Sequence, residues 1–163
     1  MLRISQQNKE SSRLCLHVII QITDQRMSDS AIGHAAIMAI DRLLDVLKEE
    51  KEKKEVLVYF IKRIMDSNNK VLFDSLLLLL LHHCSLVLTE TEEVIRLIVK
   101  QYMEIEKSTR LVLLQLLVKV SLLDKENPRV KKMLDYVLEL NSRDIDVEVR
   151  VQARNIKAVM NNE

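Results

Sequence analysis

Apolar and polar positions along the chain alternate with a period of three to four residues, which is the period of a helix face. Ile32, Ala36, Ala39, Leu43 and Leu47 keep this spacing after Ser28-Asp29-Ser30, whose side chains can cap a helix start. Val94, Ile95, Ile98, Tyr102 and Ile105 form a second such face. Val130, Met133, Leu134, Val137 and Leu138 form the best amphipathic stripe in the chain, opened by Asn127 as cap and Pro128 at the first helical position.

Eight helices are predicted by combining this periodicity with turn formers. They cover about residues 10–22, 30–48, 55–65, 70–84, 89–105, 108–123, 128–140 and 146–160. The charged run Glu49 to Glu55 reads as a solvated connection or first turn, and Asp66-Ser67-Asn68-Asn69 ends the third helix. Thr89 and Glu92 have the spacing of a capping box, which would open the fifth helix. Val147, Val149 and Val151 alternate with polar residues as in a strand. Val149, Ala153, Ile156 and Met160 also keep helical spacing, and a lone strand would have no partner, so a helix is expected. Leu76 to Leu81 are expected to form a helix buried on most sides, Leu78 included.

The fold class expected is all-α. Turn clusters at Ser28-Asp29, Ser67-Asn68-Asn69, Lys107-Ser108 and Asp144-Ile145-Asp146 recur at roughly 40 residues, the period of HEAT and armadillo helix pairs. Residues 1–163 are therefore expected to form one segment of a right-handed α-solenoid of about four helix pairs. The first helix carries Leu14, Leu16, Val18, Ile19, Ile20 and Ile22 on nearly every side. It resembles an internal helix lacking its preceding neighbour, as in a piece of a longer solenoid or a chain that pairs with another.

Composition narrows the function classes. One glycine and one proline in 163 residues leave little material for tight β-turns and none for a glycine-rich phosphate loop. A net charge of +1 removes the bulk attraction to nucleic acid, and 3% aromatic residues with no Trp give few base-stacking platforms. Cys15 and Cys84 read as free thiols of a reducing compartment. No signal peptide is expected at the start, and the leucine run is too short to span a membrane.

No catalytic, cofactor-binding or metal-binding constellation emerges, and spacing assigns no partner-contact residue. His82-His83-Cys84 invites a metal reading, but adjacent helical histidines point about 100° apart. Cys15 and His17 point to opposite sides of a helix. The basic clusters, Lys62-Arg63 and Arg129 with Lys131-Lys132, read as solvated faces, with an acidic-membrane contact as the alternative. Arg150 and Arg154, preceded by Asp144, Asp146 and Glu148, read as acid–arginine stitching between repeats, with partner binding as the alternative.

Several stretches resemble the C-terminal part of the trunk of a beta-adaptin, a large subunit of the heterotetrameric vesicle-coat adaptor complexes. Ala35-Ala36-Ile37-Met38-Ala39-Ile40-Asp41-Arg42-Leu43-Leu44 is similar to the family's repeat helix of small and large apolar residues. Asp74-Ser75 with the leucines that follow, then His82-His83-Cys84, stands where the family has a helix ending in Ile-Gly-Glu. Asn127-Pro128 and Val137-Leu138-Glu139-Leu140 resemble the penultimate helix. Glu148-Val149-Arg150-Val151-Gln152-Ala153-Arg154-Asn155-Ile156 resembles the arginine-rich motif near the trunk's end, and Arg154 leans toward the third, endosome-associated class.

The resemblance implies a non-enzymatic scaffold without cofactor, acting in vesicle-mediated protein transport and cargo sorting. Its partners would be the medium subunit and the second large subunit. Its place would be the cytoplasmic face of Golgi, endosome or coated-vesicle membranes, held there peripherally through the complex. Two rivals stand beside it: a helical-repeat scaffold of nuclear transport, coatomer or chromatin, and an all-helical enzyme with a metal pocket lined by His17, His34, His82 or His83.

Overall fold

The computed structural model describes residues 11, 14–21, 29–67 and 72–160. All regular structure among them is helical. Residues 14–21 belong to α1, followed by α2 (Ser30–Val46), α3 (Glu50–Ser67), α4 (Phe73–His83), α5 (Leu88–Lys100), α6 (Lys107–Leu123), α7 (Pro128–Ser142) and α8 (Val147–Met160). Short 3-10 turns, Cys84–Leu86 and Tyr102–Glu104, link α4 to α5 and α5 to α6. No described helix is long and apolar enough to cross a membrane.

Side-chain caps explain three helix starts. The Asp29 side chain accepts from the backbone N–H of Ala31 at 3.0 Å and opens α2. Asn127 accepts from the N–H of Arg129 at 3.0 Å, and Pro128 occupies the first turn of α7 as expected. Asp146 accepts from the N–H of Glu148 at 2.9 Å at the start of α8, so the valine alternation there is helical.

Three starts differ from the sequence reading, the first being α4, which begins at Phe73 and not near residue 70. α3 begins at Glu50 instead of near Glu55, because the Glu/Lys run consists of strong helix formers and continues the helix backwards. α5 begins at Leu88, fed directly by the Cys84–Leu86 turn, so Thr89 lies inside the first turn and is not its cap. The capping residue is Val87, which offers no side-chain bond. The helix is instead tied by Thr91, whose hydroxyl donates to the Val87 carbonyl at 2.8 Å.

Contacts divide the chain into two compact units, Met1–Leu79 and Leu80–Glu163. In the first, Ile37, Ile40 and Leu44 of α2, Leu57, Phe60 and Ile64 of α3, and Phe73, Leu76 and Leu77 of α4 are buried. Gly33 of α2 lies against Leu72: a Cβ there would stand 2.8 Å from both leucine methyls. In the second unit α5 packs on α6 and α7, α6 on α7 and α8, and α7 on α8. Its core includes Ile95, Ile98, Leu113, Leu117, Val120, Val130, Val137 and Val149.

The leucine helix is not covered all round. Leu76, Leu77, Leu79 and Leu80 are at most 1% exposed, whereas Leu78 is 39% exposed. At 3.6 residues per turn Asp74, Leu78 and His82 share one side, and that side meets solvent at Leu78 and His82. The expectation of a buried Leu78 is therefore corrected.

Candidate functional site

The densest polar construction in the second unit surrounds the connection from α7 to α8. Asn141 is fully buried on the last turn of α7, and Asp144 is 8% exposed three residues later. Tyr102, from the 3-10 turn before α6, donates its hydroxyl to Asn141 Oδ1 and lies 3.4 Å from Asp144 Oδ2. Arg110 of α6 donates through Nη1 to Asp144 Oδ2 at 2.8 Å. Its guanidinium also sits 5.2 Å from the Tyr102 ring centroid, a cation–π distance.

The same connection is held from other sides. Asp144 Oδ1 accepts from the backbone N–H of Asp146 at 2.9 Å, and Arg150 Nη1 donates to the carbonyls of Asp144 and Ile145 at 2.6 and 2.7 Å. Lys107 Nζ bridges Asp146 at 3.1 Å and Glu148 at 2.6 Å. These contacts raise the Lys107 ammonium above its ordinary value, Glu148 contributing most, and lower the Asp146 carboxyl through Lys107. Burial pushes the Tyr102 phenol up, helped by the nearby Asp144 carboxylate and opposed by Arg110.

This network brings together all three acids singled out in the sequence, but with other partners. Asp144 meets Arg110, while Asp146 and Glu148 meet Lys107. Arg150 turns to backbone carbonyls, and Arg154 is exposed on α8. Sequence reading missed Tyr102, Lys107, Arg110 and Asn141 as members. Asn141, expected with Ser142 to close the seventh helix, lies instead inside α7, three residues after the stripe's Leu138, and is buried. Every titratable member is committed to a neighbour, and Asn141 Nδ2 and Arg110 Nε are buried without an acceptor.

The other candidates are scattered. His82 and His83 lie edge to face at the end of α4, their rings 6.2 Å apart, with His82 exposed. Cys84 is buried and its thiol is pushed up by desolvation, whereas Cys15 is exposed; both are free. His34 is hydrogen-bonded through Nδ1 to the buried Ser75 hydroxyl, joining α2 to α4. Among the described residues no three His, Cys, Asp or Glu side chains gather as a metal set. Lys62 is exposed and Arg63 half-buried on α3, and Arg129, Lys131 and Lys132 are all exposed on α7. Glu92, expected to pair with Thr89, instead accepts from Asn127 Nδ2 at 3.0 Å.

Apolar side chains also reach solvent where no described element covers them. Ile145 is 97%, Val147 62% and Val151 47% exposed around the start of α8, and Val159 is 64% exposed farther along it. Leu14 and Val18 of α1 are 70% and 46% exposed. No protein family, curated protein or solved structure matches the chain.

Proposed function

We propose that the chain is a non-catalytic helical-repeat scaffold whose uncovered apolar helix face binds a partner protein. The adaptor-complex reading implied by the resemblance to a beta-adaptin trunk is the specific form we favour. The observation that carries the proposal is the exposed row Ile145, Val147 and Val151. Isolated surface leucines and valines are ordinary, but Val147 and Val151 stand four apart on one side of α8 and Ile145 precedes them in the bend before the helix, a grouping suited to docking.

Two features support a right-handed solenoid of HEAT or armadillo type. Helices α2, α4, α6 and α8 begin at residues 30, 73, 107 and 147, steps of about 40 residues as in helix-pair repeats. In the second unit each helix packs on the next one and the next but one, as a stack of helix pairs requires. In the adaptor reading the face receives the medium subunit or the second large subunit. The chain then serves cargo sorting in vesicle transport as a peripheral member of a membrane coat.

Co-expression with a medium-type adaptor subunit tests this. The expected result is a higher soluble yield and a joint peak on gel filtration, lost in the Val147→Asp/Val151→Asp variant. A chain that stays monomeric at high concentration and ignores every adaptor subunit refutes the adaptor form. Capture of a nuclear-transport, coatomer or chromatin component through the same face would then leave only the general scaffold.

A further inference from the structure

The outer side of α8 is apolar along its centre and cationic along one flank. At 3.6 residues per turn Val147, Val151, Arg154 and Ala158 fall within an arc of about 60°, and all four are exposed. The buried Val149 and Ala153 lie on the other side of the helix. Ala158 is small, so a second helix can approach this arc closely.

Arg150 and Lys157 border the arc on one side, next to Arg154. Lys157 Nζ lies 3.7 Å from one carboxylate oxygen of Glu139 on α7, and Arg143 Nη2 lies 2.6 Å from the other, so Arg143 stands on the same flank. The Arg150 guanidinium is spent on backbone carbonyls. Arg154 meets no carboxylate among the described residues. Charge is also graded along α8. Its acids, Asp146 and Glu148, stand at the start, where Lys107 of α6 holds both, and only cations follow from Arg150 onward.

We infer that the occupant of this face is an amphipathic helix of a partner protein with acidic residues along one edge, that edge lying against Arg154 and Lys157. This rests on the reading of α8 as a docking face and adds what the partner must carry. Valines four apart, with an alanine two turns farther along, have the spacing that the apolar seam of another helix answers. A strand-forming peptide would find no sheet edge among the described residues. A second copy of this chain, with α8 antiparallel to α8, would set cationic flank against cationic flank.

Fluorescence anisotropy of the full chain with two labelled peptides tests the inference. Both are cross-linked into a helix with the same leucine seam, one flanked by glutamates and the other by lysines. The glutamate peptide should bind more tightly, and its advantage should shrink with added salt. Arg154→Ala should cost that peptide up to about fivefold, the upper worth of one exposed pair. Arg154→Glu/Lys157→Glu should reverse the preference while keeping the parental circular dichroism. Lys51→Glu/Lys54→Glu, altering exposed cations of α3, should leave both affinities unchanged. Val151→Asp should abolish binding of both peptides.

Equal binding of the two peptides, abolished by Val151→Asp, would leave α8 a docking face and refute the acidic edge. Binding of either peptide that Val151→Asp leaves untouched would refute the docking face, and this inference with it. Binding of neither peptide overturns the inference as well, and dimers of the chain that are lost in Val151→Asp would then assign the face to a second copy.

Discussion

Arg110 and Asp144 stand 34 positions apart in the chain and 2.8 Å apart in space. The Asp144 side chain is only 4% exposed and that of Arg110 20%. A carboxylate so enclosed is tolerated because the guanidinium, the Tyr102 hydroxyl and the Asp146 N–H surround it. The pair fixes where α8 leaves α7 relative to α6, and so sets the orientation of the exposed valine row.

Removing one partner should cost more than removing both. Arg110→Ala leaves the buried carboxylate without its countercharge and should destabilise the chain by about 3 kcal/mol. Arg110→Met/Asp144→Asn should recover a substantial part. Urea denaturation of Arg110→Met, Asp144→Asn and the double variant provides the cycle. Strict additivity would mean that the two groups do not interact.

Tyr102 makes stability sensitive to alkali. Its folded phenol ionises above the unfolded value of about 10. Its contribution is therefore complete below about pH 10 and is lost as pH rises from there through the folded value, because the unfolded chain gives up the proton first. Tyr102→Phe should lower stability near neutrality by about 1–3 kcal/mol, leaving Asn141 Oδ1 without its donor. It should also flatten the alkaline decline and abolish the latest phase of phenolate absorbance. Persistence of that phase would assign it to another tyrosine.

Gly33 is a packing residue. Alanine would ordinarily gain about 1 kcal/mol in a helix interior. Here the added methyl meets the fully buried Leu72 side chain at 2.8 Å. Gly33→Ala should lower the melting temperature, and Leu72→Ala should be less damaging in that background than in the parent. A gain in stability from Gly33→Ala alone would show that Leu72 can yield.

The leucines of α4 should divide sharply. Leu80→Asp buries an unpaired carboxylate and should unfold or aggregate the chain, with a penalty of several kcal/mol. Leu78→Asp keeps its charge near water and should cost about 1 kcal/mol. Thermal melts of the two proteins compare them directly. Equal loss of structure would place Leu78 in the core.

What the sequence determined by itself is local. Asp29, Asn127 with Pro128, and Asp146 mark helix starts because each cap bonds backbone N–H groups two or three residues away. Helical period likewise decided the valine-rich start of α8, since Val149 and Ala153 are four residues apart and both buried. Thr89 and Glu92 looked equally local, yet the preceding 3-10 turn started α5 earlier and the Asn127 corner claimed Glu92. Tertiary structure alone decided which acid meets which base. Lys107 with Glu148, Arg110 with Asp144, and Tyr102 with Asn141 are joined by the stacking of α6, α7 and α8, and spacing along one helix carries no information about the next. It also decided that Leu78, chemically identical to its neighbours, faces out: in a helix of uniform leucines no pattern distinguishes the covered sides from the open one.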